Sequence, residues 1–303
     1  MQIDQQEQIS GPGTKVVARQ ERAGTARRHL WGNVFGHLFL IALLVVMLYP
    51  IIWMLGASFE PSFQIFLNPG LLPRTWTLAN YATGWFPLPD LSFGRLFANS
   101  ILVAGLAALG NVASCTMAAF AFSRLEFRFR GVLFAIMLLT IMLPYQVLII
   151  PQYILYMQFG WLNTYLPLVV PRFLAVDSFF VFLTVQFIRG LPRELDEAAI
   201  MDGAGYRQVF LYIIVPLTAP AMATTAVFSF INSWNDFLGP LLYLTTSNLF
   251  TVPLGLNLFI DSSETSQWGP LFAMSILSLV PILLIFMAFQ RLLTEGIATT
   301  GFK

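Results

Sequence analysis

Any chemistry in this 303-residue chain has to come from a short list of side chains. The two histidines, His29 and His37, stand near the inner end of the first hydrophobic run, without the H-E-x-x-H or Cys/His spacing of a metal site. Cys115 is the single cysteine and lies inside an apolar run, so neither an intramolecular disulfide nor a thiolate cluster can form. No G-x-x-x-x-G-K-S/T loop is present to cradle a nucleotide phosphate. The sequence therefore offers no catalytic residue, no metal ligand and no cofactor site, and what remains is recognition. Aromatic faces stack on C–H surfaces, and amides form paired hydrogen bonds to hydroxyls. Candidates for lining a solute path are Asn99, with Asn111 further along the same run; Tyr145, Gln146 and Gln152; and Asn232, Trp234, Asn235 and Asp236. Asn99 and Asn111 serve equally well as hydrogen-bond links between helices, and the Trp234 group as an interfacial aromatic belt.

Asp177 is the acidic group set deepest in an apolar stretch, five residues beyond Arg172. On a continuous helix, five steps of about 100° place the two about 140° apart, so a direct ion pair is not assured. A proton or cation site and a structural pair both remain open for Asp177.

The elements that must position these groups follow from composition. Of the residues, 57% are apolar and only 10% charged, with mean hydropathy +0.74, whereas a soluble domain carries about 25% charged residues. A bilayer core needs about 20 apolar helical residues per crossing, because no backbone amide can stay unpaired in lipid. Six stretches qualify: 34–56, 96–122, 131–150, 166–188, 209–230 and 271–289. The fold class expected is an all-α membrane protein with six transmembrane helices. Pro144, Pro216, Pro220 and Pro281 interrupt three of these runs and predict kinks.

Lys and Arg fix the orientation, since the inner side carries their excess. With the amino terminus inside, 13 of the 16 fall on the cytoplasmic side and only Arg74, Arg95 and Arg172 outside. Both termini are therefore expected in the cytoplasm. Residues 1 to about 30 are polar and basic, with too few hydrophobes for a core, and read as a disordered cytoplasmic arm preceding a six-span domain over 31–303. Nucleic-acid binding by the arm is a weak alternative. The segment 233–269 has no Lys or Arg and reads as a long, aromatic external loop.

Between the fourth and fifth runs, LPRELDEAAIMDGAG predicts a short helix over about 192–203, outside the membrane. Pro192 suits a first helical position; Glu194, Asp196 and Glu197 suit the positive end of the helix dipole; Gly203 suits the stop. Leu195, Ala198, Ala199 and Asp202 recur at helical spacing as a small-residue ridge that could dock into a groove on a partner, with Glu194 and Glu197 turned another way. Helix physics alone leaves open an amphipathic helix lying at the interface.

Glu197, Ala198, Ala199, Gly203, Ile213 and Pro216 stand at the spacing E-A-A, three residues, G, nine residues, I-x-L-P, with Val215 in place of the leucine. In this the chain resembles the permease subunits of binding-protein-dependent ATP-binding-cassette importers, most of all the carbohydrate branch of maltose-permease type. The resemblance runs over residues 33–303 and is supported by Phe97-x-Asn99-Ser100, by Ala118 to Arg124, by Trp234 to Phe237 and by the ending from Gly296 to Lys303. It implies a type I importer permease core in a bacterial or archaeal cytoplasmic membrane. The partners implied are a second homologous permease, two ATPase subunits holding ATP and Mg, an extracytoplasmic solute-binding protein and a sugar-like solute. By the same likeness, Glu194, Glu197, Ala198, Ala199, Asp202 and Gly203 would enter a cleft on the ATPase. The loop 251–267 would reach the binding protein through Asn257, Phe259, Asp261 and Ser262, unless it is a lid packed on the permease itself. A proton- or cation-coupled secondary carrier is the rival reading, and Asp177 is almost the only titratable group it could use.

Overall fold

A computed structural model describes residues 36–67, 70–260 and 266–300, the last eight of these by backbone alone. The basic arm at 1–30, Asp261 and Ser262 lie outside the described residues. Regular structure among the described residues is helical, apart from one isolated bridge between Leu88 and Leu91.

The chain divides into two units. The first is the chain up to Gly56 together with Gly70–Leu72. Its helix α1 (Gly36–Ser58, the last two residues belonging to the second unit) has an apolar window of mean hydropathy 2.7 with no buried residue.

The second unit is built around α3 (Phe93–Arg124), a 32-residue rod. Its buried side is lined by small residues, among them Ala104, Ala107, Ala108, Gly110, Ser114, Cys115 and Ala119. In lipid, where hydrophobicity gives no drive between helices, such residues let neighbouring backbones come close enough for dense van der Waals packing. Ahead of it lies α2 (Ala79–Gly84). After it come α4 (Arg130–Ile141) and α5 (Tyr145–Gln158), then α6 (Leu166–Val169) running into a 3-10 turn (Val170–Leu174), and α7 (Ser178–Arg189). The helix outside the spans is α8 (Glu194–Met201). Next, α9 (Tyr206–Gln208), a π-helical stretch (Val209–Ile214) and α10 (Val215–Leu217) lead into α11 (Ala219–Trp234). Last are α12 (Leu238–Tyr243), α13 (Val252–Asn257) and α14 (Trp268–Thr300). The helices α7 and α11 pack on α3, and α14 packs on α11 and α2.

Among the described residues, four helical segments are long and apolar enough to cross a bilayer: Gly36–Ser58, Phe93–Arg124, Leu166–Arg189 and Trp268–Leu292. The expected third and fifth spans are not straight rods. The third is α4 and α5, bent by 103° between Ile141 and Tyr145; the fifth is Tyr206–Leu217 and Ala219–Trp234, bent by 73°. The count reaches six when each bent pair is one crossing. Proline accounts for both breaks. Pro144 is itself extended, at φ −65° and ψ 132°, and cannot donate a backbone hydrogen bond, and α4 alone, at about 1.5 Å per residue, is about 18 Å long. At the second break Pro216 and Pro220 each withhold an N–H. Upstream of Pro216 the helix widens into its π-helical turn, and Thr218 returns its hydroxyl to the Ile214 carbonyl at 2.7 Å, a contact that bends helices.

Within the segment that reads as an external loop, the stretch 248–259 packs back on α3. The Ser100 hydroxyl accepts the Val252 N–H at 2.7 Å, and Val252, Leu254 and Gly255 are buried. A Cβ on Gly255 would press into Leu96 Cδ1, so any larger residue here requires Leu96 to shift.

Candidate functional site

The two groups of candidate residues occupy different ends of the second unit. At one end α8 is held as a rigid block. Its first turn carries Glu194, Asp196 and Glu197, which complement the helix dipole. It starts two residues later than expected, leaving Pro192 just ahead of the helix. At the other end Gly203, at φ +88°, makes a full Schellman stop: its own N–H reaches the Ile200 carbonyl at 3.0 Å and the Ala204 N–H reaches the Ala199 carbonyl at 2.9 Å.

Two faces of α8 are then distinct. Asp196 and Ala199 turn inward, Ala199 packing beside a core of Cys115, Phe120, Val185, Ile188, Val209 and Ile214. Arg124, the last residue of α3, meets Asp196 with its Nε 2.6 Å from Oδ2, the two side chains only 6% and 13% exposed. The same guanidinium donates through Nη2 to the Leu191 carbonyl at 2.9 Å. Sequence reasoning missed this pair because Arg124 and Asp196 are far apart in the chain. The available signal was an arginine ending an apolar span, set against an acid-rich helix on the same side of the membrane. The outward face carries Glu194, Leu195, Glu197, Ala198, Met201 and Asp202, with Ile200 to one side. The expected ridge is therefore modified: Ala199 belongs to the inner face, while Met201, 87% exposed, joins the outer one beside Glu194 and Glu197.

The solute-path candidates do not form one group. Asn99 donates to the Asn248 and Phe250 carbonyls at 3.0 and 2.9 Å, which ties α3 to the segment before α13. Trp234 is buried between Phe97 and Phe230, ring centroids 5.9 and 5.6 Å away, and presents no face to a solute. Asn232 and Asn235 are exposed. Asp236 accepts the Gly239 N–H at 3.0 Å, in the first turn of α12. Tyr145 and Gln146 stand exposed at the start of α5, and Gln152 is half-buried along it. Of the loop candidates, Asn257 is exposed but Phe259 is buried against Phe93, ring centroids 6.4 Å apart.

The sequence left a direct Arg172–Asp177 pair open, and the structure joins them: Arg172 Nη1 donates to Asp177 Oδ2 at 2.5 Å. The helical-wheel premise fails there, because the chain passes through a 3-10 turn and a left-handed Ala175 at φ 54°. The same Asp177 oxygen accepts from Asn111 Nδ2 at 2.6 Å, and that nitrogen also reaches the Ser229 hydroxyl at 2.8 Å. The Ser114 hydroxyl donates to the Arg172 carbonyl at 2.8 Å. Three spans are thus joined by one polar network, as costly polar groups within a membrane require.

Comparison with known proteins agrees with this architecture. The family described as "Binding-protein-dependent transport system inner membrane component" matches residues 110–299. The chain is 33% identical over 263 residues to the trehalose/maltose transport system permease protein MalG of Thermococcus litoralis, covering 87% of this chain and 94% of that protein. It is 31% identical over 268 residues to the diacetylchitobiose uptake system permease protein NgcG of Streptomyces coelicolor, covering 88% of each. A crystal structure of a bacterial ABC transporter that imports the acidic polysaccharide alginate shares the fold at TM-score 0.75 and 20% identity, covering 87% of this chain and 96% of that one. A span matched from mid-α3 through α14, with the helix-and-glycine block of α8 inside it, leaves one conclusion: the chain belongs to the inner membrane components of binding-protein-dependent transport systems, the permease subunits of ATP-binding-cassette importers, and is a transport subunit rather than an enzyme.

Proposed function

We propose that this permease forms half of the pathway of an ATP-driven importer for a carbohydrate-like solute and is driven through α8 by a separate ATPase. The observation that carries the reading is the mounting of α8. It is fixed to the end of α3 by the sealed Arg124–Asp196 pair and stopped by the Gly203 turn, while Glu194, Glu197, Ala198 and Met201 face outward. A helix gripped on one face and open on the other transmits displacement only when a partner fills the open face. The ATPase pair would supply ATP and Mg, since the chain has no phosphate-binding loop of its own.

The carbohydrate reading draws on the relatives, which transport trehalose, maltose and diacetylchitobiose. A second homologous permease completes the pathway, and an extracytoplasmic binding protein delivers the solute to the side carrying Asn257. The end of the molecule that holds Arg124, Arg189, Arg193 and Arg207 together with α8 faces the cytoplasm, as the positive-inside bias requires, and both termini lie there.

The test is co-expression with the ATPase and partner permease, followed by uptake in proteoliposomes. Met201→Glu, at a site 87% exposed, should leave the stability of the permease within about 0.5 kcal/mol while weakening ATPase co-purification and ATP-driven uptake together. Unchanged co-purification and uptake in Met201→Glu and in Glu197→Ala would refute coupling through α8.

A further inference from the structure

A groove at the α8 end of the second unit has no part in the coupling through α8. It encloses about 410 Å³ between the last turns of α3 and the start of the fifth span. The rings of Phe120 and Phe210, centroids 5.1 Å apart, pack together in its lining, and Met117 and Leu211, both exposed, flank them. Phe210 and Leu211 belong to the π-helical stretch Val209–Ile214, and such widened turns recur at functional sites.

The lining changes character along its length. Leu125, Tyr206 and Arg207 mark the end where α3 stops and the fifth span begins. Met117 lies seven residues before Arg124, about 10 Å deeper at 1.5 Å per residue. Tyr206 and Arg207 are the polar side chains of the lining, so the deeper part offers hydrocarbon and aromatic surface alone. Arg207 is exposed, and among the described residues its side chain has no hydrogen bond or ion pair, whereas Arg124 is taken up by Asp196. Arg130 sits at the same end, donating from Nη1 to the Leu125 carbonyl at 2.9 Å, and Arg128 is two residues before it. The acidic residues nearby in the chain, Glu126 and Asp202, are exposed and form no ion pair with Arg207. Three arginines against two carboxylates leave this end net positive.

An apolar slot with a cation at its membrane-boundary end suits a molecule with a hydrocarbon tail and an anionic head. A sugar or a polar peptide would lose its hydrogen bonds to water on entering the deeper part without finding new ones. A guanidinium matches phosphate oxygens with paired hydrogen bonds, and tyrosine favours the headgroup level. Basic pockets between spans on the cytoplasmic side bind anionic lipid headgroups.

We propose that this groove holds one anionic phospholipid, its phosphate on Arg207 and the Tyr206 hydroxyl and an acyl chain along Phe120, Phe210 and Leu211. Neither the solute nor the outward face of α8 enters into this, so the site stands or falls independently of the transport reading.

The test uses the importer purified in a mild detergent and stripped of lipid by exchange. Phosphatidylglycerol, or phosphatidylcholine with the same acyl chains, is titrated in, and bound lipid is counted per complex by native mass spectrometry. The wild type should retain one phosphatidylglycerol that phosphatidylcholine does not replace at tenfold higher concentration. Arg207→Gln should weaken that step at least fivefold while leaving phosphatidylcholine binding unchanged, and Arg207→Lys should keep most of it. Leu211→Trp fills the apolar part and should expel the same lipid with Arg207 intact. Equal retention of the two lipids by the wild type overturns the proposal, as does an Arg207→Gln protein that binds like the wild type or loses both lipids in the same proportion. If Arg207→Gln or Leu211→Trp instead releases the partner permease and leaves the lipid count unchanged, the groove is a subunit interface and the proposal fails.

Discussion

The Arg124–Asp196 pair gives the most direct access to coupling. At eight residues, α8 is shorter than the roughly 12–15 residues an isolated helix needs for marginal stability in water, so its order must come from its attachments. The structure supplies three: the ion pair, the inward packing of Ala199 and the Gly203 stop. Both charges are nearly sealed from solvent, and neither Asp196 Oδ1 nor Arg124 Nε has a further hydrogen-bond partner. Asp196→Ala would leave the guanidinium buried with only the Leu191 carbonyl. Losing one member of a buried pair costs about 3–5 kcal/mol, or roughly two to three and a half orders of magnitude in the docked population at about 1.4 kcal/mol per tenfold. Hydrogen exchange of the amides from Ala198 to Ala204, read in the purified importer, should accelerate by at least a hundredfold, and solute-stimulated ATP hydrolysis should collapse. Arg124→Met with Asp196→Leu removes both charges and keeps the bulk, so it should restore most of the protection, since buried pairs are often replaceable by apolar residues. If Asp196→Ala leaves exchange and stimulated hydrolysis unchanged, or if the double replacement is as damaging as the single one, the pair is not the mount of α8.

Two glycines allow narrower checks by thermal denaturation in detergent. Gly203→Ala meets nothing within 4 Å of the new Cβ, so its cost is purely that of the left-handed backbone, about 1–2 kcal/mol; Gly203→Asn should cost less because asparagine tolerates that region. Gly255→Ala would press a Cβ into Leu96 Cδ1 and should cost about 1–3 kcal/mol as overpacking; adding Leu96→Ala should recover part of it, and a neutral single substitution would show that α13 does not press on α3.

Much of the fold was legible because its causes are local. A run of apolar residues long enough for a bilayer forms a helix wherever it falls in the chain, so the spans at 96–122, 166–188 and 271–289 appear in the structure with ends shifted by a few residues. The α8 block was legible for the same reason: acidic residues in the first turn and a glycine at the stop act on their own helix. Proline marked the places where the third and fifth spans fail. A proline's position does not set an angle, and the 103° and 73° bends are read only from the structure.

The sequence by itself therefore determined the membrane class, the approximate helices, the cation asymmetry and the E-A-A to I-x-x-P spacing, each a property of composition or of residues within a few turns of one another. Tertiary structure alone decided which side of each element faces protein. It turned Trp234 and Phe259 into core and folded 248–259 back onto α3. It joined Arg124 to Asp196 across two intervening spans. It also brought Arg172 to Asp177 by breaking the helix that would have kept them apart. Pairings of this kind depend on the direction of a side chain in a packed neighbourhood, and a one-dimensional pattern does not carry that information.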